Sequence, residues 1–157
     1  AQGHNVTVID YPYMDNDDDL EATVKAINAG GYDISISLHC DSSDSATACG
    51  AHVCHHRNYH DDGSYTDSPS GKRLAEAIAG PLCKLMPGRA DHVQARPDRS
   101  CKPNKTSLYV LRKTVPPAVL VECGFLSNPG DASVMHDTPG AIARAIAQGV
   151  DAYTLNQ

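Results

Sequence analysis

The sequence predicts an α/β fold in which a largely parallel sheet is covered by helices on both faces. Two patterns support this prediction. Short β-branched or apolar runs alternate with stretches of helical periodicity, and the run AVLV at 118–121 is apolar on both faces of the strand it would form. The 157 residues contain no internal repeat and no linker, so one domain is expected.

Composition limits the function classes. Apolar residues make up 41% of the chain and charged residues 20%, as in ordinary soluble globular proteins. The formal charge is −6 and the 13 Lys and Arg form no basic run, which argues against nucleic-acid binding. No apolar stretch reaches the length of a membrane span, and the first ten residues lack the pattern of a signal peptide.

The first third of the chain predicts two strands and a helix between them. A β-branched run at Val6–Ile9 is expected to be a strand that ends at Asp10. The acids before Leu20 are expected to cap and solvate a helix that ends at the Gly30-Gly31 pair, and they lack the spacing of a calcium loop. Alternation over 33–38 predicts a strand that ends at His39.

The middle of the chain predicts a third strand, a loop and a long helix. The strand is expected at 49–56 and the polar loop at 57–67. Ser68 followed by Pro69 is typical of a helix start, and apolar residues continue at helical spacing to Leu85. Pro81 lies inside that pattern, which predicts a kink or an early end of the helix.

The last third predicts two more strands and a final helix. Residues 86–106 are expected to be irregular, and short strands are expected at Leu108–Leu111 and at 118–121. Thr138 and Pro139 repeat the helix-start signal, and an apolar face follows at Ile142, Ile146, Val150 and Tyr153.

Three predicted strands end in a residue that could do chemistry: Asp10, His39 and Glu122. In a parallel sheet these ends lie on one rim, where ligands of α/β proteins bind. A His and a Glu on one rim can bind a metal ion and transfer a proton. The alternative is that polar residues end strands simply because the chain leaves the core there, and for Asp10 a turn is the favoured interpretation.

Other candidate sites have weaker signals. The stretch GAHVCHHRNYH is rich in metal-binding residue types, but its spacing fits no common zinc pattern, and a solvated strand face is expected instead. No G-x-S-x-G elbow is present, and Cys40 would point away from His39 on a strand. The six cysteines are expected to be mostly reduced, with one or two disulfides as the open alternative.

Several motifs together resemble a known family. DISISLHCDSS, CGAHVCHH, SGKRLAEAI, SLYVLRKTVPPAVLVECGFLSNPGD and AIARAIAQGVDAY are similar, in order and spacing, to the zinc-dependent N-acetylmuramoyl-L-alanine amidases of the amidase_3 type. The resemblance runs from about Gly3 to Tyr153 and implies a three-layer α/β/α sandwich of the phosphorylase/hydrolase-like kind. It implies that two histidines and a glutamate hold Zn²⁺, with His39 as the second histidine and Glu122 as the catalytic glutamate.

The sequence departs from the family pattern in its N-terminal part. The family begins with a strand that ends in a Gly-His-Gly-Gly-like motif, followed by a helix that carries the glutamate ligand, and neither is found here. His4 precedes a predicted strand, whereas the missing ligand follows one. The expectation is therefore a single catalytic domain over residues 1–157 that lacks the N-terminal strand and helix.

The activity that the resemblance implies is zinc-assisted hydrolysis of the amide between N-acetylmuramic acid and L-alanine. Its substrate is peptidoglycan, in the cell wall or at another extracellular or periplasmic place, and a monomer without nucleic-acid or membrane partners is expected. Two alternatives remain open: a metal-depleted module that binds peptidoglycan without cutting it, and a zinc carboxypeptidase-like enzyme that acts on cell-wall peptides.

Overall fold

The computed structural model describes residues 3–11, 15–60, 62–96 and 108–156. Helices and strands in these ranges follow the order α1 (Asn16–Ala29), β1 (Ser35–Asp41), β2 (His52–Tyr59), β3 (Tyr65–Asp67), α2 (Pro69–Leu85), β4 (Val93–Arg96), α3 (Tyr109–Lys113), β5 (Ala118–Phe125), α4 (Pro129–Asp137) and α5 (Pro139–Leu155).

The strands form one sheet in the order β1-β5-β2-β3, and β4 also pairs with β2. The β1–β5 and β2–β4 pairs are parallel, whereas β2 runs antiparallel to both β5 and β3. The predicted α/β fold is confirmed, and its sheet is mixed. A sequence pattern fixes which residues are strand-like but not the direction in which two strands meet.

Helices cover both faces of the sheet, so the three predicted layers are present. On one face, α2 and α5 pack over strand residues that include Val53 and Val121. On the other face, α1 and α3 pack over Cys54 and Leu120. Because β5 contributes to both cores, its run of apolar residues is explained by burial on both sides.

The predicted helix starts are confirmed for α1 and α2. The Asp15 carboxylate accepts hydrogen bonds from the backbone N–H groups of Asp17 and Asp18, and the Ser68 hydroxyl accepts one from Gly71. The α2 helix continues through Pro81 to Leu85, so of the two outcomes predicted for Pro81, a kink or an early end, the early end does not occur. Loss of one helical hydrogen bond there is outweighed by complete burial of neighbours such as Leu82.

The predicted strand at Leu108–Leu111 is wrong, because this segment begins the helix α3. Val110 and Leu111 both bury their side chains against the α1 core, which a strand with alternating faces would not allow. The Asn28 side chain also holds the end of α3: it donates to the Lys113 carbonyl at 2.9 Å and accepts from the Val115 N–H at 2.8 Å.

The predicted strand at Val6–Ile9 is also wrong. These residues form no regular structure, and Val6 and Val8 are 81% and 86% exposed. A β-branched run becomes a strand only when a neighbouring strand pairs with it, and none of the described strands does so here. Conversely, β3 and β4 lie in segments that were expected to be loop, and both owe their structure to pairing with β2.

The final helix is confirmed as α5, which follows the unpredicted short helix α4. The Thr138 hydroxyl donates to the Val134 carbonyl at the end of α4, so it does not cap α5 as expected. None of the helices in the described ranges combines the length and apolar character that crossing a bilayer requires.

The α2 and α5 helices pack closely at Gly149. A Cβ atom added to Gly149 would clash with the Cα atom of Ile78, so only hydrogen fits between the two backbones. By contrast, a Cβ added at Gly140, in the first turn of the same helix, would make only an ordinary contact at 3.4 Å with Arg144.

We expect Gly149→Ala to lower the free energy of unfolding by about 1–3 kcal/mol, because the helices must move apart. The matched control Gly140→Ala should be neutral or stabilise the protein by up to about 1 kcal/mol, since alanine favours helix. Urea unfolding followed by circular dichroism measures both. Equal stability of the two variants would contradict the packing described here.

Candidate active site

Parallel pairing of β1 and β5 places His39 beside Glu122. The two residues are direct cross-strand partners, so their side chains lie on the same face of the sheet. His39 is exposed and Glu122 is half-buried. The prediction that both lie together on one rim is thus met by the structure, although neither ends its strand: β1 continues to Asp41 and β5 to Phe125.

Antiparallel pairing brings His52 on β2 to the other side of Glu122. His52 and Glu122 are also direct cross-strand partners. His52 is 1% exposed, and neither ring nitrogen has a hydrogen-bond partner; its Nε2 lies 3.8 Å from Asp41 Oδ2. Burial, followed by the positive charge of Arg89, lowers the pKa of His52 to about 4, so the ring is neutral at neutral pH.

Glu122 occupies an unfavourable place for a charged carboxylate. Burial, reinforced by the negative charge of Asp41, raises the pKa of Glu122 above its ordinary value, and Arg96 opposes this shift. Its Oε2 atom is buried without a hydrogen-bond partner. A carboxylate that holds a proton more readily than usual is suited to proton transfer.

His39 is the more accessible member of the pair. Its Nε2 atom lies 2.8 Å from the Ser37 hydroxyl, two residues earlier on the same face of β1. Partial burial lowers the pKa of His39, which favours the neutral imidazole that a metal ligand requires.

Arg96 is a further charged group on this face of the sheet. Its Nε donates to the thiol sulfur of Cys54 at 3.4 Å, and the pKa values of both residues are raised. For Cys54 the main cause is burial, and for Arg96 it is the hydrogen bond to Cys54. Arg96 was not predicted as a site residue, because its strand β4 lies in a segment that was expected to be irregular.

A buried carboxylate ties together the two strands that carry Glu122 and His52. Asp131, in the first turn of α4, accepts hydrogen bonds through Oδ2 from the backbone N–H of Gly50 at 2.7 Å and of Phe125 at 2.9 Å. Gly50 lies just before β2, and Phe125 ends β5. Asp131 therefore fixes the position of both strands at the site.

The remaining sequence candidates lie elsewhere or have other partners. Asp10 is exposed and follows no strand, so it does not join the rim. His4 contacts Asp151 on α5 at 2.7 Å. The expected solvated face of the His-rich stretch is wrong for His52 and His55, which are both buried. Within the described ranges, no group of three or more His, Cys, Asp or Glu side chains is placed to hold a metal ion.

Comparison with known proteins identifies the family. The model of the Amidase_3 family, described as N-acetylmuramoyl-L-alanine amidase, matches residues 1–152. The chain belongs to this family.

Similar proteins agree with this assignment. The chain is 28% identical over 136 residues to N-acetylmuramoyl-L-alanine amidase LytC of Bacillus subtilis, and 32% identical over 123 residues to N-acetylmuramoyl-L-alanine amidase CwlM of Mycobacterium tuberculosis. These matches cover 85% and 78% of this chain, but only 24% and 26% of the two amidases. The chain therefore spans about a quarter of the length of these relatives.

Solved structures share the fold. The catalytic domain of the CD27L endolysin, which targets Clostridia Difficile, superposes with a TM-score of 0.72 at 26% identity, over 95% of this chain and 72% of that one. The catalytic domain of CwlV, an N-acetylmuramoyl-L-alanine amidase of Bacillus (Paenibacillus) polymyxa, has the same fold, with a TM-score of 0.64 at 22% identity over 86% of this chain and 65% of that one.

We expect Asp131→Ala to destabilise the protein strongly, because it leaves two buried N–H groups without an acceptor. Each unsatisfied donor costs about 1–3 kcal/mol. The control Asp137→Ala removes an exposed carboxylate from the end of the same helix and should change stability far less, because its contacts with Ser133 and His136 lie in solvent. Denaturant unfolding measures the free energy of unfolding of both variants. Similar losses of stability would contradict the role of Asp131 in holding β2 and β5 together.

The raised pKa of Glu122 predicts a pH-dependent effect of Glu122→Gln. The folded state holds the proton more tightly than the unfolded state, so ionisation of Glu122 lowers stability as pH rises from the unfolded pKa through the folded one. In the presence of chelator, Glu122→Gln should match the parent protein at pH 4 and be more stable than it at pH 7. A variant that is less stable than the parent at pH 7 would show that ionised Glu122 does not destabilise the folded state.

Proposed function

We propose that this chain is a peptidoglycan hydrolase that cleaves the amide between N-acetylmuramic acid and L-alanine, with Glu122 as the proton-transfer group and His39 as a metal ligand. The observation that carries the proposal is the direct pairing of His39 with Glu122 in a chain of the Amidase_3 family. The two side chains share one face at the carboxyl-end half of adjacent parallel strands, where α/β proteins bind their substrates.

Glu122 is suited to act first as a base and then as an acid. In amide hydrolysis, a water molecule loses a proton as it attacks the carbonyl carbon, and the leaving nitrogen gains a proton as the C–N bond breaks. Glu122 takes the first proton and delivers the second, so the carboxylate is regenerated. Its raised pKa supports the second half of this cycle, because a protonated carboxyl group is then accessible nearer to neutral pH.

The exposure of the site supports a bulky substrate. His39 is exposed on β1, an edge strand of the described sheet, and Glu122 is half-buried next to it on β5. A polymer such as peptidoglycan can approach an open sheet edge more easily than it can enter a closed cavity.

The family depends on zinc, and the described residues do not by themselves provide its site. His39 is a suitable nitrogen donor, but no group of three or more ligand-type side chains is assembled around it in the part of the chain that the structure describes. The role given to Glu122 therefore depends on its own surroundings and not on the metal. The proposal therefore includes weak zinc retention by this chain.

We expect Glu122→Gln to lower amide hydrolysis by about 10²–10⁴-fold, the usual loss when an acid/base group is removed. The assay follows release of free amines and reducing-end sugars from purified peptidoglycan with zinc added in excess. New N-terminal L-alanine without new reducing ends indicates cleavage of the amide next to N-acetylmuramic acid. The control Glu21→Gln changes an exposed side chain of α1 and should retain the parent rate.

Equal rates for the parent protein and Glu122→Gln would contradict the role of Glu122. Metal analysis after dialysis is a second check: the proposal predicts less than one zinc per chain, and full retention would show that donors beyond the described residues complete the site.

A peptidoglycan-binding module without activity is a second candidate, and the absence of a metal-ligand group among the described residues favours it. Co-sedimentation with insoluble peptidoglycan distinguishes the two functions. Binding without amine release, even with added zinc, would support the module and overturn the amidase proposal.

A further inference from the structure

Two cysteines lie directly behind the candidate active site. Cys40 follows His39 on β1, and Cys123 follows Glu122 on β5. Since successive side chains of a strand alternate, both thiols belong to the opposite face of the sheet, which α2 and α5 cover. Cys123 packs against that core, Cys40 is exposed, and both are free thiols.

The register of the two strands places these cysteines opposite each other. His39 pairs with Glu122 and Asp41 pairs with Phe125, with a register shift between them. Two steps on β1 thus match three steps on β5, so Cys40 lies opposite Cys123 and Gly124. Regularly paired strands are about 4.7–4.9 Å apart, and disulfides accept Cα separations of about 4.4–6.8 Å, so the range leaves room for a departure from regular spacing at the shift.

One other observation supports the pairing. The buried cysteines Cys54 and Cys83 have partners of their own, since Cys54 accepts from Arg96 and Cys83 donates to the Ala51 carbonyl.

We propose that Cys40 and Cys123 form a dithiol site that closes to a disulfide between β1 and β5 at the back of the candidate active site. The family acts on cell walls, outside the cytoplasm, where disulfides form and persist. This inference goes beyond the proposed hydrolysis and does not depend on it.

The reaction needs an oxidant, and a low-molecular-weight disulfide is sufficient. The exposed Cys40 thiolate attacks the oxidant, which forms a mixed disulfide and releases one thiol. Cys123 then attacks the Cys40 sulfur, which closes the protein disulfide and releases the second thiol. The two protein thiols lose two protons and two electrons, and the oxidant gains them.

The disulfide would link β1 to β5 covalently at the register shift between them. It would join the two strands one residue beyond His39 and Glu122, where the shift interrupts the regular pairing. A disulfide at this place would limit separation of the strand ends that carry the candidate site.

Peptide mapping tests the proposal on the native chain. The protein is incubated with oxidised glutathione, remaining thiols are alkylated, and the product is cleaved before aspartate and after lysine and arginine. These cuts yield peptides 33–40 and 114–130, which contain one cysteine each. We expect the two peptides to be joined, with the loss of two hydrogen atoms in mass, and to separate after reduction.

Three variants sharpen the result. Cys40→Ser and Cys123→Ser should lose the joined species, and the control Cys49→Ser should keep it. Separate alkylated or glutathionylated peptides 33–40 and 114–130 from the folded native chain would overturn the proposal, as would either peptide joined only to another cysteine. Because the native chain is mapped directly, a variant that fails to fold does not affect the outcome, and the mapping is independent of hydrolytic activity.

Discussion

The parallel pairing of β1 with β5 is the interaction on which the candidate site depends. Its register places His39 opposite Glu122, and the antiparallel contact on the other edge of β5 adds His52. A slip of one residue in either pair would move a side chain to the opposite face of the sheet, because side chains alternate along a strand. Burial of β5 in both cores opposes such a slip, because it would move the Glu122 carboxyl group into the apolar core under α2 and α5.

The end of β5 that carries Glu122 is positioned by hydrogen bonds and not by packing in the two hydrophobic cores. Asp131 anchors the chain before β2 and the end of β5 through two buried hydrogen bonds, and thereby fixes the frame around Glu122. Within that frame, Glu122 and His52 retain buried polar atoms without hydrogen-bond partners. Such unsatisfied groups lower stability, and proteins tolerate them mainly where the surrounding structure fixes them and function requires them.

Local signals predicted much of the fold. Asp15 and Ser68 marked the starts of α1 and α2, and the apolar run of β5 indicated a strand with both faces covered. The proximity of His39 and Glu122 followed from two strand-like runs that each lead to a polar residue. These features depend on the immediate chain neighbours, which the sequence shows directly.

Features set by distant contacts could not be predicted in this way. Residues 108–111 have the composition of a strand, but contacts with α1 and capping by Asn28 make this segment helical. Val6–Ile9 has a strand-like composition and no described partner strand. His52 and Arg96 belong to the site only because β2 runs antiparallel to β5 and β4 pairs with β2. The His-rich composition of the strand predicted at 49–56 was a signal in the sequence that could have indicated His52.

The most direct test of the central claim is the β1–β5 register in solution. Nuclear Overhauser contacts between backbone protons of the isotopically labelled chain report which residues face each other. The structure predicts cross-strand contacts between Ser37 and Leu120 and between His39 and Glu122. Contacts that instead join Glu122 to Leu38 or Cys40 would place the carboxylate on the other face, away from His39, and would contradict the proposed site.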